Sequence, residues 1–375
     1  MKVLILSCNT GQGHNSCAAA LEEECRNQNI PCDTEDALRF ISPEVSRFIS
    51  NWHVRIYRHA PGLFRVGYRA AEDHPAQFHE GSALYRYLTQ GAEKLCGFIA
   101  GSGYDTVICT HTFAALMVSE VVKTHLPNLK TCFIATDYTC SPSVKDSSLD
   151  RYFIPASSLS GDFLGGGVTS ERLRACGIPV RQMFRSSVRK EDAKHAFGIP
   201  TDHKHLVMMC GSMGCGPIMS IARRIGRDLP DDQDLTIVCG TNKQLYRRLQ
   251  RRFYDSKNVH VRSYVKDMAL LMDSADLYLT KPGGISVTEA ASMRLPMVFI
   301  DAVAGCEEYN KDFFLRTGGA ATGKTPAEIA RVSLKLLSDE NTLEKMGDAL
   351  DTAVPHDAAA SILSEMSEAE EGELA

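Results

Sequence analysis

The sequence lacks any apolar run close to the roughly 18 residues that a membrane-spanning helix needs. It also lacks the flanks of a signal peptide, because residues 2–7 already read as the first strand of a domain. No two of its 13 cysteines have CxxC spacing, and their number is odd. We therefore expect reduced structural thiols, no metal site, and a protein that is cytoplasmic or peripherally attached to the inner face of the cell membrane.

Length and composition indicate two globular domains. A chain of 375 residues, 44% hydrophobic and 23% charged, fits two domains of roughly 150–200 residues. Short, nearly continuous apolar runs alternate with helical stretches, which predicts parallel sheets buried on both faces. The predicted strands are residues 3–7, 106–110, 131–136, 151–155, 205–210, 235–239, 259–264, 277–280 and 297–300. The expected fold class is α/β, with two doubly wound, Rossmann-like domains.

The predicted domain boundaries follow from these strand sets. We assign residues 1–185 to an N-terminal domain, 186–203 to a linker, 204–350 to a C-terminal domain, and 351–375 to a C-terminal helix and acidic tail. Two such domains face a cleft at the carboxyl ends of their strands, where ligands bind in open α/β sheets.

Charge is distributed unevenly along the chain. The formal net charge is −5, and residues 357–375 alone contribute −6. Residues 39–69 carry six arginines against Glu44, a local charge of +5. The local excess is therefore more informative about partners than the overall charge.

A glycine-containing loop follows the first predicted strand. Gly11 and Gly13 allow close approach of a ligand to backbone N–H groups, and His14 stands where a helix begins. The loop lacks the third glycine of a dinucleotide-binding fingerprint, an acidic residue that closes a second strand, and the Lys-Ser/Thr of a P-loop. A merely tight strand-to-helix turn is the alternative interpretation.

Two further loops have a similar character in the second half. Residues 210–218 follow a predicted strand and contain Gly211, Ser212 and Gly214. Residues 281–290 follow another strand, and there exposed backbone donors and hydroxyls at a helix N-terminus favour a diphosphate. Glu289, which follows Thr288 in this segment, carries a carboxylate that suits the two hydroxyls of a ribose. The alternative is a plain capping box over residues 286–289.

At these residues the sequence resembles the family 28 glycosyltransferases, and within them the branch of monogalactosyldiacylglycerol synthases and processive diacylglycerol glucosyltransferases. The resemblance runs from about residue 5 to residue 340. The motifs that carry it occupy residues 11–14, 135–137, 177–181, 211–218, 238–242, 264–268, 281–290 and 305–310. It implies a GT-B architecture, an inverting transfer and a UDP-sugar donor.

The resemblance also implies roles for individual residues. The backbone of Val265 is expected at the uracil and Glu289 at the ribose. His14 corresponds to the histidine near the reacting centre and Asp137 to an acidic position that faces the acceptor. The residues expected to line the diphosphate are Gly283, Gly284, Ser286 and Thr288, and those expected to reach the hexose hydroxyls are Glu307, Glu308 and Asn310. Gly211, Ser212 and Gly214 are expected to bind the donor as well.

Two departures from the family pattern bear on the substrates. Plant-type members have a His-Pro-Thr-Trp stretch after the counterpart of Asp137, whereas residues 138–143 contain neither His nor Trp. This leaves the acceptor open. Cys306 stands where many relatives have Gln, which leaves the choice between glucose and galactose open.

An inverting transfer needs a base and a means of stabilising the departing UDP. A histidine has a suitable unperturbed pKa near neutral pH, so His14 is the candidate base. Asp137 either orients it or is the base itself. Backbone N–H groups and a helix N-terminus replace a metal. We expect no Asp-x-Asp motif in the chain, and therefore no divalent cation and no cofactor.

The basic segment 39–69 interleaves its arginines with six aromatic residues. Phe48, Trp52 and Ile56 recur at helical spacing, which indicates an interfacial helix on anionic lipid. An ordinary helix packed on the domain is the alternative, and nucleic acid is not expected. The residues assigned to the acceptor and membrane side are Gly11, Gly13, Arg47, Trp52, Arg55 and Arg58.

The sequence therefore predicts a hexosyltransferase that moves glucose or galactose from a UDP-sugar to a diacylglycerol-type lipid. The N-terminal domain is expected to bind the acceptor and the C-terminal domain the donor. Three alternatives stay open: a UDP-sugar 2-epimerase of the same fold, a transferase with a soluble or different lipid acceptor, and a nonenzymatic UDP-sugar sensor.

Overall fold

The computed structural model describes residues 1–9, 11–59, 61–211, 213–300 and 305–368. The chain divides into two compact units. Unit 1 comprises residues 1–182, 303–306 and 355–375, and unit 2 comprises residues 183–302 and 307–354.

Unit 1 is built on a six-stranded parallel sheet. Its strands are β1 (Val3–Ser7), β2 (Cys32–Asp36), β3 (Thr106–Cys109), β4 (Lys130–Ile134), β5 (Arg151–Ile154) and β6 (Leu173–Ala175). Its first helices are α1 (Gln12–Asn27), α2 (Leu38–Ile41), α3 (Pro43–His59), α4 (Pro61–Asp73), α5 (Ala83–Thr89), α6 (Ala92–Ser102), α7 (Thr112–Thr124) and α8 (Ser160–Gly165). Short 3₁₀ turns cover Pro75–Phe78, Val144–Asp146, Ser157–Leu159, Ser170–Arg172 and Gln182–Phe184.

The strand order in unit 1 is β2-β1-β3-β4-β5-β6. The chain winds outward from β1 to β2 and then, from β3, outward in the opposite direction. The order therefore reverses between β1 and β3, which is the position where open α/β sheets bind ligands. All five residues of β1 are buried, as a central strand covered on both faces requires.

Unit 2 contains a second parallel six-stranded sheet. Its strands are β7 (Lys204–Met209), β8 (Gln233–Val238), β9 (Val259–Arg262), β10 (Leu277–Thr280), β11 (Met297–Phe299) and β12 (Ala320–Thr322). Its helices are α9 (Lys190–Phe197), α10 (Ile218–Asp228), α11 (Lys243–Arg252), α12 (Met268–Asp273), α13 (Gly284–Ser292), α14 (Cys306–Thr317), α15 (Pro326–Leu337) and α16 (Glu340–Ala353).

The strand order in unit 2 is β12-β11-β10-β7-β8-β9, so the reversal lies between β7 and β10. Right-handed crossovers then place α10 and α11 on one face of the sheet and α12, α13 and α14 on the other. The contacts agree, because α10 packs against α15 whereas α13 packs against α16. A single apolar cluster joins α10, α11 and α15 to their face of the sheet.

Three strands of the structure are missing from the sequence prediction: β2, β6 and β12. Each is polar or short and lies at the edge of its sheet, so it lacks the continuous apolar run that marks a buried strand. β2 also corrects the expectation that no acidic residue closes a second strand after the first glycine loop. β2 ends at Asp36, so an acidic residue does close the second strand.

The predicted linker, residues 186–203, is instead a packed part of unit 2. It contains α9, and Lys190 Nζ lies 2.9 Å from Asp276 Oδ1. The Val188 amide donates to Asp273 at 3.1 Å. The C-terminal segment contains a helix, α17 (Ala358–Glu368), which packs against α1, and Arg174 Nε donates to Glu365 at 3.2 Å. The rest of the predicted acidic tail, residues 369–375, lies outside the described residues.

The thirteen cysteines are all free thiols, as the sequence predicts. Most of those in strands and in α1 are buried, and burial raises the pKa of the Cys17, Cys109 and Cys239 thiols. A thiol with a raised pKa stays protonated and unreactive, so these cysteines behave as small apolar residues.

The buried imidazole of His205 makes unit 2 sensitive to acid. Burial lowers the pKa of His205 to about 4, below the value of about 6.5 in an unfolded chain. As the pH falls below 6.5, His205 binds a proton in the unfolded state but stays neutral in the folded state. The free energy of unfolding therefore decreases between pH 6.5 and pH 4. We expect a loss of about 2 kcal/mol in unfolding free energy between pH 7 and pH 5 from this group.

Urea denaturation of the wild type and of His205→Gln at both pH values measures this contribution. The variant should be less stable at pH 7, because Nε2 lies 2.8 Å from Thr236 Oγ1 in the wild type. Its stability should nevertheless change less with pH. An equal pH dependence in both proteins would contradict the assignment to His205.

Candidate active site

The loops that follow β1, β3 and β4 meet at the strand reversal of unit 1. His14 is the third residue of α1, which follows β1. Its Nδ1 lies 2.8 Å from the carbonyl oxygen of Thr110, directly after β3. The same nitrogen lies 3.0 Å from Thr136 Oγ1, after β4. Residues far apart in sequence thus surround one half-buried imidazole.

The contact with Thr110 determines the tautomer of His14. A carbonyl oxygen only accepts hydrogen bonds, so Nδ1 carries the proton and donates it to Thr110. Nε2 is then the basic nitrogen of the neutral ring. A ring oriented through Nδ1 with a basic Nε2 is the arrangement that general-base histidines use.

A second histidine borders this position. The rings of His14 and His111 meet edge to face, with centroids 4.5 Å apart. His111 precedes α7, and its Nδ1 accepts from the Phe113 amide at 3.0 Å, which caps the helix. The sequence interpretation missed Thr110, His111 and Thr136 as neighbours of His14. The available signal was their position directly after predicted strands.

A chain of polar side chains holds the glycine loop after β1. Ser7 Oγ donates to Asn15 Oδ1 at 2.7 Å, and Asn15 Nδ2 donates to Asn9 Oδ1 at 2.9 Å. Asn9 Nδ2 in turn donates to Asp36 Oδ2 at 2.9 Å. Asp36 also accepts from Ser46 Oγ in α3. The network therefore connects the His14 loop to the start of the basic, aromatic helix.

The two glycines of this loop differ from the expected tight turn. Gly11 is extended, with φ 175°, a conformation that any residue adopts. A Cβ added there would meet no atom within 4 Å, so the position is open rather than tightly packed. Gly13 lies within the first turn of α1.

Asp137 follows Thr136 in the loop after β4 and is half-buried.

The strand reversal of unit 2 brings together the loops after β7 and β10. In the first loop, Gly211, Gly214 and Gly216 have positive φ values of 66°, 56° and 110°. A Cβ on Gly214 would lie 2.4 Å from the carbonyl oxygen of Cys239, so only glycine fits there. Ser212 lies outside the described residues.

The loop after β10 runs directly into α13. Gly283 is the N-cap and Gly284 the first helical residue. The capping-box alternative is therefore wrong, because Ser286 lies inside the helix rather than at its cap. Gly283, Ser286 and Glu289 are half-buried and recur every three residues, so they share one accessible face.

Thr288 does not lie on that face. Its side chain is buried, and its hydroxyl donates to the Gly284 carbonyl oxygen at 2.7 Å. The expected contact of Thr288 with a diphosphate is therefore not favoured, because the hydroxyl points back into its own helix.

A buried ion pair positions the start of this loop. Lys281 Nζ lies 3.2 Å from Glu307 Oε1, and both side chains are buried. Asn310, also buried, donates from Nδ2 to the Pro282 carbonyl oxygen at 2.9 Å. Glu307 and Asn310, expected at hexose hydroxyls, thus bind the loop itself. Glu308, by contrast, is half-buried at the start of α14.

The remaining predicted donor residue is Val265. It is half-buried in the connection from β9 to α12, just before Asp267, which caps α12 by accepting from the Leu270 amide at 2.9 Å. This connection leaves the carboxyl end of β9, the edge of the sheet at which the two glycine loops also lie.

The predicted absence of an Asp-x-Asp motif is wrong. The chain does contain an Asp-x-Asp tripeptide, residues 232–234. It lies at the amino end of β8, opposite the glycine loops, and Asp234 is buried between His203 and His260, each 2.6 Å away. Within the described ranges, no group of three His, Cys, Asp or Glu residues is arranged to hold a metal ion.

Four of the six residues predicted for the acceptor and membrane side, Arg47, Trp52, Arg55 and Arg58, lie on α3, which packs against α4. Phe48 and Trp52 are 62% and 48% exposed, with ring centroids 6.1 Å apart. Leu63 and Val66 on α4 are exposed as well. We call these four side chains the α3–α4 apolar surface. The packed-helix alternative does not account for their exposure.

The basic residues of this region are only partly described. Arg47 is exposed and bonds Glu44, which offsets part of the local charge. Arg55 and Arg58 lie on α3, with side chains outside the description. Among the helices that the structure describes, none is long and apolar enough to cross a membrane.

Two family models match the chain, one in each half. Residues 14–180 match the monogalactosyldiacylglycerol (MGDG) synthase family, and residues 222–351 match glycosyl transferases group 1. The first match begins at His14.

Relatives of known name cover nearly the whole chain. A processive diacylglycerol beta-glucosyltransferase of Staphylococcus saprophyticus is 24% identical over 356 residues, 94% of this chain and 88% of the relative. A protein of the same name from Bacillus cytotoxicus is 25% identical over 375 residues, 96% of this chain and 92% of the relative.

Solved structures share the two-sheet architecture. MurG of Acinetobacter baumannii superposes with a TM-score of 0.67 at 14% identity, covering 98% of this chain and 100% of MurG. UDP-GlcNAc 2-epimerase of Neisseria meningitidis, bound to UDP-GlcNAc, gives 0.63 at 14% identity, with 98% and 100% covered. The chain has the GT-B fold and, as the sequence predicts, is similar to the family 28 glycosyltransferases of the branch of monogalactosyldiacylglycerol synthases and processive diacylglycerol glucosyltransferases.

Proposed function

We propose that this glycosyltransferase moves a hexose, glucose or galactose, from a UDP-hexose to a diacylglycerol-type lipid, with inversion at the anomeric carbon. The names of its relatives support a diacylglycerol acceptor. The orientation of His14 carries the proposal, because a basic Nε2 at a ligand-binding strand reversal suits deprotonation of an acceptor hydroxyl.

The proposed step is a single displacement. Nε2 of His14 takes the proton of the acceptor hydroxyl as its oxygen attacks the anomeric carbon. The bond from that carbon to the UDP oxygen breaks, and UDP leaves with the electron pair. Asp137, half-buried in the adjoining loop, either stabilises the imidazolium or takes the proton itself.

The donor half of the proposal uses the accessible face of α13. Glu289 accepts both ribose hydroxyls, Ser286 and the amides beyond Gly283 meet the diphosphate, and the backbone of Val265 meets the uracil. Glu308 takes a hexose hydroxyl. Glu307 and Asn310 act through the loop that they hold, since both are buried and bonded to it.

Backbone donors are proposed to stabilise the departing UDP without a divalent cation. The amides of the two glycine loops and the N-terminus of α13 supply positive potential at the carboxyl edge of the sheet. We therefore propose a reaction with neither metal nor cofactor.

The principal alternative is a UDP-sugar 2-epimerase, because a solved structure of such an enzyme has a similar fold. An epimerase needs no acceptor, whereas a transferase releases UDP in proportion to acceptor. Measuring UDP release from UDP-glucose and UDP-galactose in EDTA, with and without diacylglycerol, separates the two. UDP release that is independent of diacylglycerol would refute transfer to that lipid. UDP release that needs added Mg²⁺ or Mn²⁺ would refute a reaction without a metal.

The α3–α4 apolar surface is the proposed contact with an anionic membrane, at the inner face of the cell membrane. Exposed Phe48 and Trp52 side chains next to arginines combine an apolar term with an electrostatic one. Trp52 is the sole tryptophan of the chain, so its fluorescence reports on this surface directly.

We predict a blue shift of Trp52 fluorescence on binding vesicles that contain anionic lipid. Changing Arg47, Arg55 and Arg58 together to Ser should remove the salt-sensitive part of binding, because each arginine contributes on the order of 1 kcal/mol near an anionic surface. Phe48→Ala should weaken the salt-resistant part, about 10-fold in partitioning, through lost apolar burial.

Tyr87→Ala serves as the control, because Tyr87 is an exposed aromatic residue on α5 of the same unit. It should leave vesicle binding unchanged. If wild-type fluorescence does not respond to anionic vesicles at low salt, the surface does not bind membrane and a soluble acceptor is favoured.

A further inference from the structure

Unit 2 has a basic groove whose arginines take no part in the proposed reaction. A cavity of about 410 Å³ lies between the first turns of α10 and α11. The loop after β7 forms one wall with Gly214 and Gly216, and Asn242 contributes at the start of α11. We call this cavity the α10–α11 groove.

Three arginines line the groove: Arg223 and Arg224 on α10 and Arg248 on α11. No acidic residue is among its lining residues. The surrounding segments, residues 211–227 and 235–254, contain eight basic residues and no acidic one. Among the described residues that line the groove, no carboxylate therefore offsets the charge of the three arginines.

The arginines are available to an anion. Arg224 Nη1 donates to Ser220, 3.0 Å from its carbonyl oxygen and 2.7 Å from its Oγ, which fixes the guanidinium. Arg223 and Arg248 are exposed. Within the part of the chain that the structure describes, neither forms an ion pair with a carboxylate.

The wall opposite the arginines is rigid. Asn242 Nδ2 donates to the Gly214 carbonyl oxygen at 3.0 Å, and Asn242 Oδ1 accepts from the Leu245 amide at 2.9 Å. These two hydrogen bonds connect the glycine loop to the start of α11. A preformed groove loses little freedom when it binds a ligand.

The groove is separate from the proposed ribose site. α10 and α11 cover one face of the sheet with α15, whereas α13, which carries Glu289, covers the other. The loop after β7 lines the groove with Gly214 and Gly216 and lies at the edge of the sheet where α13 begins. An anion in the groove would therefore accompany a bound nucleotide rather than replace it.

We propose that the α10–α11 groove is a phosphate-binding site. Guanidinium groups bind phosphate oxygens through paired N–H donors, and three of them converge here. The phosphate belongs either to the headgroup of an anionic lipid or to a free phosphate ion, because both present the same oxygens. The site is independent of the proposed transfer reaction.

The test compares two double variants of the full chain. Arg223→Gln with Arg248→Gln removes two groove arginines, whereas Arg247→Gln with Arg251→Gln removes the same charge from exposed positions of α11 outside the lining. Binding is measured by calorimetry with inorganic phosphate and by co-sedimentation with phosphatidylcholine vesicles with or without phosphatidylglycerol. Each measurement is made without UDP and again with saturating UDP.

We expect the groove variant to bind about 10-fold more weakly or worse, and the control variant to change less than about threefold. Loss in calorimetry alone identifies free phosphate, and loss in co-sedimentation alone identifies lipid. Equal losses in both variants, or no binding by the wild type, would overturn the proposal. Phosphate binding that disappears when UDP is added would also overturn it, by placing the phosphate in the nucleotide site.

Discussion

His14→Ala should lower kcat by about 10²–10⁴-fold, the usual contribution of a general base. The affinity for UDP should stay nearly unchanged, because the nucleotide is proposed to bind unit 2 whereas His14 lies in unit 1. The expectation rests on the 2.8 Å contact from Nδ1 to the Thr110 carbonyl oxygen, which makes Nε2 the basic nitrogen. Steady-state kinetics with calorimetric UDP titration measures both quantities.

Two control variants separate a base from a positioning residue. Thr136→Val removes the 3.0 Å contact to Nδ1 and should slow the reaction far less than His14→Ala. His111→Ala removes the neighbouring ring and tests whether packing alone explains the loss. If His14→Ala costs only a few-fold in kcat while Asp137→Asn is much worse, Asp137 is the base.

Glu289→Ala should weaken UDP binding by about 1.5–3 kcal/mol, or roughly 10- to 150-fold, the range for hydrogen bonds to a charged group. Glu289 lies on the accessible face of α13, in line with Gly283 and Ser286. Calorimetry with UDP and with 2′-deoxy-UDP on both proteins isolates the ribose contact. The wild type should bind the deoxy compound more weakly, whereas the variant should bind the two alike.

Glu308→Ala is the matched control, because it removes a carboxylate from α14 that is proposed to contact the hexose only. It should leave the affinity for UDP unchanged and weaken UDP-hexose. An unchanged UDP affinity in Glu289→Ala would remove Glu289 from the nucleotide site.

Sequence patterns predict the central strands of this fold better than its edges. β1 is a continuous apolar run because helices cover both its faces, and the pattern follows directly from that burial. β2 is the opposite case: it lies at the edge, and its sequence Cys-Asp-Thr-Glu-Asp resembles a loop. Its pairing with β1 depends on the sheet as a whole, which no local pattern records.

The candidate site divides in the same way. His14 and the glycine loops are recognisable because each stands directly after a predicted strand. The neighbours of His14 are not, since Thr110 and Thr136 approach it only when β3 pairs with β1 and β4 pairs with β3. The buried roles of Glu307 and Thr288 likewise depend on which face of a helix meets the sheet.

The proposed function is tested most directly by following the sugar into lipid. The protein is incubated with diacylglycerol vesicles and UDP-glucose or UDP-galactose carrying a label in the hexose, and the lipid products are separated. We predict labelled glycosyl-diacylglycerol whose anomeric configuration is opposite to that of the donor, with one UDP released for each sugar transferred. Conversion of the donor into an epimer, or UDP release without labelled lipid, would contradict it.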